Sequence, residues 1–202
     1  GAANKVDIVE LIDTYLDHTQ FDYTHALTTG KGHAIELARQ AVLDRFDIVV
    51  ACGGDGTVNE VAQSLVHSQT ALGVIPNGSG NGFAMYIGMG RNLKKSILKL
   101  NDYQIKCIDS CTVNDRFFLN LGGIGFDALI AYKVDSGKKR GFLMYFKTIL
   151  KEMLQFEAEN FKVQIDEEEL ESQFTTIAVA NAPMYGYNFT VAPLADLSDG
   201  LL

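Results

Sequence analysis

Apolar residues in the first segment fall at Val6, Val9, Ile12 and Leu16, the spacing of one helix face, with Asp13 and Asp17 off the stripe. A helix is therefore predicted over Lys5 to Leu16. Phe21, Tyr23, His25 and Leu27 then alternate with Asp22, Thr24 and Thr28, the period of a strand. Gly30 and Gly32 break the chain before a helix over His33 to Arg45, whose apolar positions are Ile35, Ala38, Ala41 and Val42. Asp47 to Cys52 is a short, continuous apolar run, which predicts a parallel strand covered on both faces. A glycine loop and a helix over Val58 to His67 follow. The pattern then repeats with a strand Ala71 to Pro76, a glycine loop Asn77 to Gly82, and short helical pieces to Leu100. Strands alternating with helices predict an open, mostly parallel α/β sheet.

Past Asn101 the texture changes. Tyr103 to Val113 reads as extended, and Asn114-Asp115 as a hairpin turn into Phe117 to Leu121. Helical stretches Phe126 to Val134 and Gly141 to Phe156 come next. Strand-like Phe161 to Ile165 and Thr175 to Asn181 flank an acidic turn, Asp166 to Glu169. The change predicts an α/β domain over 1–102 and a β-rich domain over 103–202.

Composition narrows the function. A chain of 202 residues that is 47% hydrophobic can bury a sizeable core, and a net charge of −8 argues against nucleic acid as a partner. No apolar run approaches the roughly 20 residues of a membrane span, and no secretory signal is visible. Cys52, Cys107 and Cys111 form neither a disulfide framework nor a zinc set, and read as small buried residues in a reducing compartment. A cytoplasmic protein is expected. The start at Gly1 and the stop at Leu202, straight after a turn, read as cut ends.

The chemistry concentrates in the two glycine loops. Gly53-Gly54-Asp55-Gly56-Thr57 lies between an apolar strand and a helix, where open α/β sheets bind ligands. Glycines admit a phosphate close to the backbone, and the N–H groups of the helix start then face the anion. A carboxylate such as Asp55 beside polyphosphate needs a cation or a proton-transfer task, and magnesium binds through carboxylate, water and phosphate together. Thr57 and Glu60 also fit the T-x-x-E form of a capping box, a role that does not exclude nucleotide contact. In the second loop, Gly78-Ser79-Gly80-Asn81-Gly82, Ser79 offers a hydroxyl to phosphate, and Asn81 can bond ribose, phosphate or the loop itself.

The two loops together resemble the diacylglycerol kinase catalytic family, which includes bacterial lipid kinases, sphingosine kinases and ceramide kinases. The family text G-G-D-G-T-x-N-E is complete at Gly53 to Glu60, and P-x-G-[TS]-x-N-D-F-A is matched from Pro76 to Ala84 except at Gly82. Further matches are Thr28 before Gly32-His33-Ala34, Phe118-Leu119-Asn120, Gly123 to Ala128, Ala192-Pro193, and Asp199-Gly200-Leu201-Leu202. The resemblance implies an NAD kinase/diacylglycerol kinase-like fold, a nucleotide-binding α/β domain followed by a β-rich domain. It implies ATP and Mg²⁺ as cofactors and a lipid substrate at a membrane surface. Thr28, Gly54, Asp55, Gly56, Thr57, Val58, Asn59, Glu60 and Ser79 match positions that hold ATP; Gly53, Gly78 and Asn81 complete the cradle. Asp199 and Leu201, with Asp196, match a magnesium site that uses backbone carbonyls as well as carboxylate, although Asp199-Gly200 also reads as a tight turn between strands. Asp55 is the expected catalytic residue, as metal orienter or as base for the lipid hydroxyl.

Three departures accompany the match. Gly82 stands where many bacterial members carry Asp, the usual first strand with its Asn-Pro-x-x-Gly loop does not precede Gly1, and the segment that supplies a glutamate base does not follow Leu202. The 202-residue stretch alone is therefore expected to be inactive. Rival expectations are an NAD kinase-like enzyme and a non-catalytic nucleotide- or lipid-binding remnant. Lys138 to Phe146, basic beside apolar, suits peripheral contact with the inner face of a membrane. The alternative is that Phe142, Phe146, Ile149 and Met153 form a core or homodimer stripe.

Overall fold

A computed structural model describes residues 7–136, 142–186 and 189–202. It divides into two compact units, the first formed by 1–120 with 181–201 and the second essentially by 121–180. Unit 2 is thus inserted into unit 1, whereas a change of texture along the sequence suggests a single border near residue 102.

Unit 1 opens with α1 (Ile8–Tyr15), N-capped by the Asp7 carboxylate, which accepts from the Val9 N–H. The alternating segment 21–27 that follows is not a strand. It joins no ladder among the described residues, and alternation without a neighbour to bond leaves Leu27 77% exposed. α2 (His33–Leu43), β1 (Ile48–Gly53), α3 (Asp55–Leu65) and β2 (Ala71–Pro76) are the expected α/β repeat. β1 and β2 pair in parallel, Ile48 opposite Ala71 through Gly53 opposite Pro76, so the glycine loops leave the sheet side by side. The two faces of β1 are unequally covered, however. Ala51 is buried while its neighbour Val50 is 40% exposed, so the apolar run did not signal cover on both sides.

α4 (Gly82–Tyr86) and α5 (Leu93–Asn101) complete the α/β part. Of the extended run after it, only Cys111–Val113 pairs among the described residues, as β3, with β4 (Arg116–Phe118). Asn114 and Asp115 between them both have positive φ, 47° and 61°, the combination that suits a two-residue hairpin. The unit closes with β9 (Met184–Gly186), β10 (Phe189–Thr190) and the turns of 191–201. No strand adjoins Asp199-Gly200. One core joins Ala34 and Ala38 of α2, Val58 and Ala62 of α3, Phe83 of α4 and Leu197.

In unit 2, β5 (Leu121–Gly125) runs antiparallel to β8 (Thr176–Ala180), followed in sequence by α6 (Phe126–Ser136) and α7 (Phe142–Met153). β6 (Glu159–Ile165) and β7 (Glu168–Phe174) form a hairpin around Asp166-Glu167. Among the described side chains of α7, 146–153, the buried one is Glu152, which pairs with Lys133 of α6 at 2.5 Å, while Phe146 and Met153 are 50% and 60% exposed. The expected core stripe therefore does not form at those two positions: the helix turns its carboxylate inward to meet the lysine. The basic run Lys138 to Gly141 lies outside the described residues. Cys111 is buried, but Cys52 is half-buried and Cys107 exposed, so the three do not share one environment.

Candidate active site

The parallel register of β1 and β2 brings Gly53-Gly54 beside Asn77-Gly78, and the Asn77 N–H donates to the Gly53 carbonyl at 2.9 Å. The backbones then touch. A Cβ on Gly78 would stand 2.4 Å from Gly54 Cα, and one on Gly54 3.2 Å from Gly78 Cα. Glycine is demanded here by close approach rather than by dihedral angle. Gly53 is equally confined, since a Cβ there would lie 2.6 Å from Thr57 Oγ1.

α3 starts at Asp55, earlier than the apolar pattern suggests, with Gly54 as a side-chain-less N-cap. This overturns the capping-box expectation: Thr57 sits inside the first turn, and Glu60 bonds elsewhere, its Oε1 accepting from the Gly32 N–H at 2.9 Å. The first N–H groups of any helix lack an intrahelical acceptor. Those of Asp55, Gly56 and Thr57 follow this rule, while the Val58 N–H is taken by the Gly54 carbonyl at 3.1 Å. Gly56 is exposed and a Cβ on it would meet nothing within 4 Å, so the first turn is open on that side, and unpaired N–H groups at a helix start suit an anion.

Asp55 links the loops. Its Oδ1 accepts from the Phe83 N–H at 3.2 Å, at the start of α4, and its Oδ2 lies 3.3 Å from where a Cβ on Gly80 would stand. Asn81, at positive φ and buried, closes the second loop on itself: its Nδ2 donates to the Gly78 carbonyl at 2.8 Å and its Oδ1 accepts from the Gly78 N–H at 2.9 Å. Gly82 has its own cause. A Cβ there would stand 2.7 Å from the Tyr185 carbonyl oxygen and 2.9 Å from that of Met184, so β9 occupies the room an acidic side chain would need.

Asn59 ties α3 to the 117–119 segment, donating to the Phe117 carbonyl at 3.3 Å and accepting from the Leu119 N–H at 3.1 Å. Val58 is a core residue with its N–H already bonded. Thr28 and Ser79 are exposed, and no hydrogen bond engages either side chain among the described residues. In the 196–201 turn, Asp196 Oδ1 accepts from the Ser198 hydroxyl at 2.7 Å and N–H at 2.9 Å, and Asp199 Oδ1 accepts from the Leu201 N–H at 3.0 Å. The Ser198 bonds hold the Asp196 carboxyl below the ordinary aspartate range.

Two residues not singled out in the sequence organise that turn. Asp109 Oδ2 accepts from the Gly200 N–H at 2.7 Å, and its N–H donates to the Leu197 carbonyl at 2.6 Å. Asn181, fully buried, donates to the carbonyls of Asp109 and Leu119 at 3.0 and 2.8 Å. Little in the sequence signals them: Asp109 lies in a stretch that mixes apolar and polar residues, and Asn181 is an amide at the end of the apolar run Ile177 to Ala180. No three His, Cys, Asp or Glu side chains converge as a metal cage among the described residues. One or two carboxylates plus carbonyl oxygens are the donor set of an ion that keeps its waters and bridges phosphate, so the residues of the turn fit magnesium.

Residues 1–113, more than half of the chain, match the model of the diacylglycerol kinase catalytic domain. The chain belongs to this family. Residues 122–202 match the YegS C-terminal NAD kinase beta sandwich-like domain. Among individual lipid kinase relatives, the diacylglycerol kinase of Bacillus subtilis (strain 168) is 33% identical over 186 residues, 88% of this chain and 60% of that protein. The chain thus spans about three fifths of that relative's length. The crystal structure of a diacylglycerol kinase from Bacillus anthracis str. Sterne superposes with a TM-score of 0.73 at 25% identity, over 98% of this chain and 68% of that one. A second structure from the same organism gives a TM-score of 0.75 at 24% identity, over 98% and 68% of the two chains. The fold is therefore that of the NAD kinase and diacylglycerol kinase group, a parallel α/β part followed by a β-rich part, as the sequence resemblance implies.

Proposed function

We propose that this diacylglycerol kinase-family protein transfers the γ-phosphoryl of ATP to a lipid hydroxyl, such as that of diacylglycerol or a sphingoid base. One observation carries the reading: Gly54 and Gly78 meet backbone to backbone at the ends of two parallel strands, beside the first turn of α3, where Gly56 is exposed and a Cβ on it would meet nothing within 4 Å. Phosphoryl transfer depends on positioning and charge stabilisation, which such a cradle supplies. Ser79, exposed in the second loop, and Thr28, exposed ahead of α2, would offer hydroxyls to the nucleotide. Bound Mg²⁺ supplies neutralisation of phosphate charge, and Asp196, Asp199 and the Leu201 carbonyl are the groups that would hold it. Asp55 spends Oδ1 on the Phe83 N–H, which leaves Oδ2 to orient the metal or to accept the lipid proton.

A second reading, phosphorylation of NAD, is favoured by the NAD kinase-like description of the C-terminal match. The test supplies the full-length gene product with Mg²⁺, radiolabelled ATP, and a panel of diacylglycerol, sphingosine, ceramide and NAD. Label in a lipid is the expected result. Label in NADP selects the second reading, and nucleotide binding without any labelled product reduces the protein to a non-catalytic binder. The 202-residue stretch alone is expected to give little product in the same assay. Vesicle sedimentation and light scattering would test peripheral membrane contact and homodimerisation.

A further inference from the structure

Glu60 acts on a helix other than its own. In a capping box the glutamate of the third helical position bonds the N–H of its own N-cap residue. Here the carboxylate on the second turn of α3 accepts from Gly32, which is the N-cap residue of α2 and has no side-chain cap. Glu60 thus completes the N-terminus of α2 from the neighbouring helix.

The bond falls where the backbone is least constrained. Gly30 and Gly32 flank Lys31, Gly32 is at φ 86°, and a Cβ on either glycine would meet nothing within 4 Å. Packing therefore does not hold this turn. Hydrogen bonds do, with Glu60 on Gly32 at one end and His33 Nδ1 accepting from the Thr29 N–H at 3.0 Å at the other. The helices beneath are fixed to each other by the Ser64 hydroxyl, which donates to the Ile35 carbonyl at 3.0 Å, and by Ala34 and Ala38 in the common core. A charge-assisted bond from α3 to the turn then transmits the position of α3 directly to the Thr28–Gly32 segment.

We propose that Glu60 is a positioning residue of the nucleotide site, setting the Thr28–Gly32 turn in register with the amides at the start of α3. The inference rests on the nucleotide reading above; the bond to Gly32 does not.

The full chain is compared as Glu60, Glu60→Gln and Glu60→Ala, by titration with Mg–ADP and by amide exchange at Gly32. Glutamine keeps an acceptor at Oε1 and loses only the charge. Glu60→Ala is expected to speed exchange at Gly32 at least tenfold and to weaken Mg–ADP binding about tenfold, while amides in the body of α3 stay protected. Glu60→Gln is expected to recover most of both losses. A glutamine variant as weak as the alanine variant, with Gly32 still protected, overturns the proposal, because the charge would then act on nucleotide or metal itself. So does an alanine variant with normal affinity and a freely exchanging Gly32. Should the alanine variant not fold, the glutamine variant decides alone: near-parent affinity supports the proposal, and about tenfold weaker Mg–ADP binding with Gly32 still protected overturns it. An unaltered protein that binds no Mg–ADP sinks the nucleotide reading first, a result distinct from either of these.

Discussion

Asp55 combines a structural bond with an expected chemical task, and asparagine separates them. Asp55→Asn keeps an oxygen for the Phe83 N–H, so a urea melt should shift by less than about 1 kcal/mol. Phosphotransfer by the full-length protein should fall about a hundredfold or more, because charge is lost where it must be compensated. Normal turnover would leave Asp55 as a link between loops and nothing else. Gly82→Asp should not add a working acid. Its Cβ would meet the Tyr185 carbonyl oxygen at 2.7 Å, and such overpacking costs about 1–3 kcal/mol, read as a lower melting temperature. A variant as stable as the parent would mean that β9 yields easily. Asp196 sets a pH signature. Its carboxyl is depressed by the Ser198 hydroxyl and N–H, so the bonds are in place above the ordinary aspartate range and are lost as pH falls through the lower, folded value. Carbon-13 NMR should find Asp196 titrating below an ordinary aspartate, and Ser198→Ala should move it back up.

Among the elements, those whose signal is local were readable. The β3–β4 hairpin turns at Asn114-Asp115 as the side chains advertise, and both residues take positive φ. Glycine at the second position removes the Cβ strain at φ 61°, so Asp115→Gly should stabilise by about 0.5 kcal/mol in chemical denaturation. The glycine loops were legible for the same reason, since short loops between a strand and a helix leave few conformations. What pairing and packing decide was not. Segment 21–27 alternates yet finds no ladder, while β7, Glu168 to Phe174, is a strand whose acidic residues hid it. Its partner β6 supplies the backbone bonds, and exposure on the hairpin leaves the side chains little influence. Thr57 and Glu60 carried a valid capping signal for the wrong helix, because Gly32 is 28 residues away and only the packing of α2 on α3 brings it near. Asp109 and Asn181 were opaque for that reason too: they bond across 91 and 72 residues of sequence.

For the molecule as a whole, ligand protection is the broadest test of the site. With Mg–ADP, hydrogen exchange should slow at Gly53 to Thr57 and at Gly78 to Asn81, and chelating magnesium should weaken the effect. Protection confined to other segments would remove the nucleotide assignment. The chain leaves unit 1 at Asn120 and returns at Asn181, where the Asn181 and Ala182 N–H groups both donate to the Asn120 carbonyl, at 2.9 and 3.1 Å. That route has a consequence for biosynthesis. Ala182 and Leu197 fill the core of unit 1 at 0% and 5% exposure, yet they emerge from the ribosome after all of unit 2. Domains usually complete themselves in the order of translation. Here the nascent first unit must wait with two core sockets open while the later-made unit 2 can already close. A translational pause within codons 121–180 would therefore lengthen the interval in which the half-built α/β layer depends on chaperones.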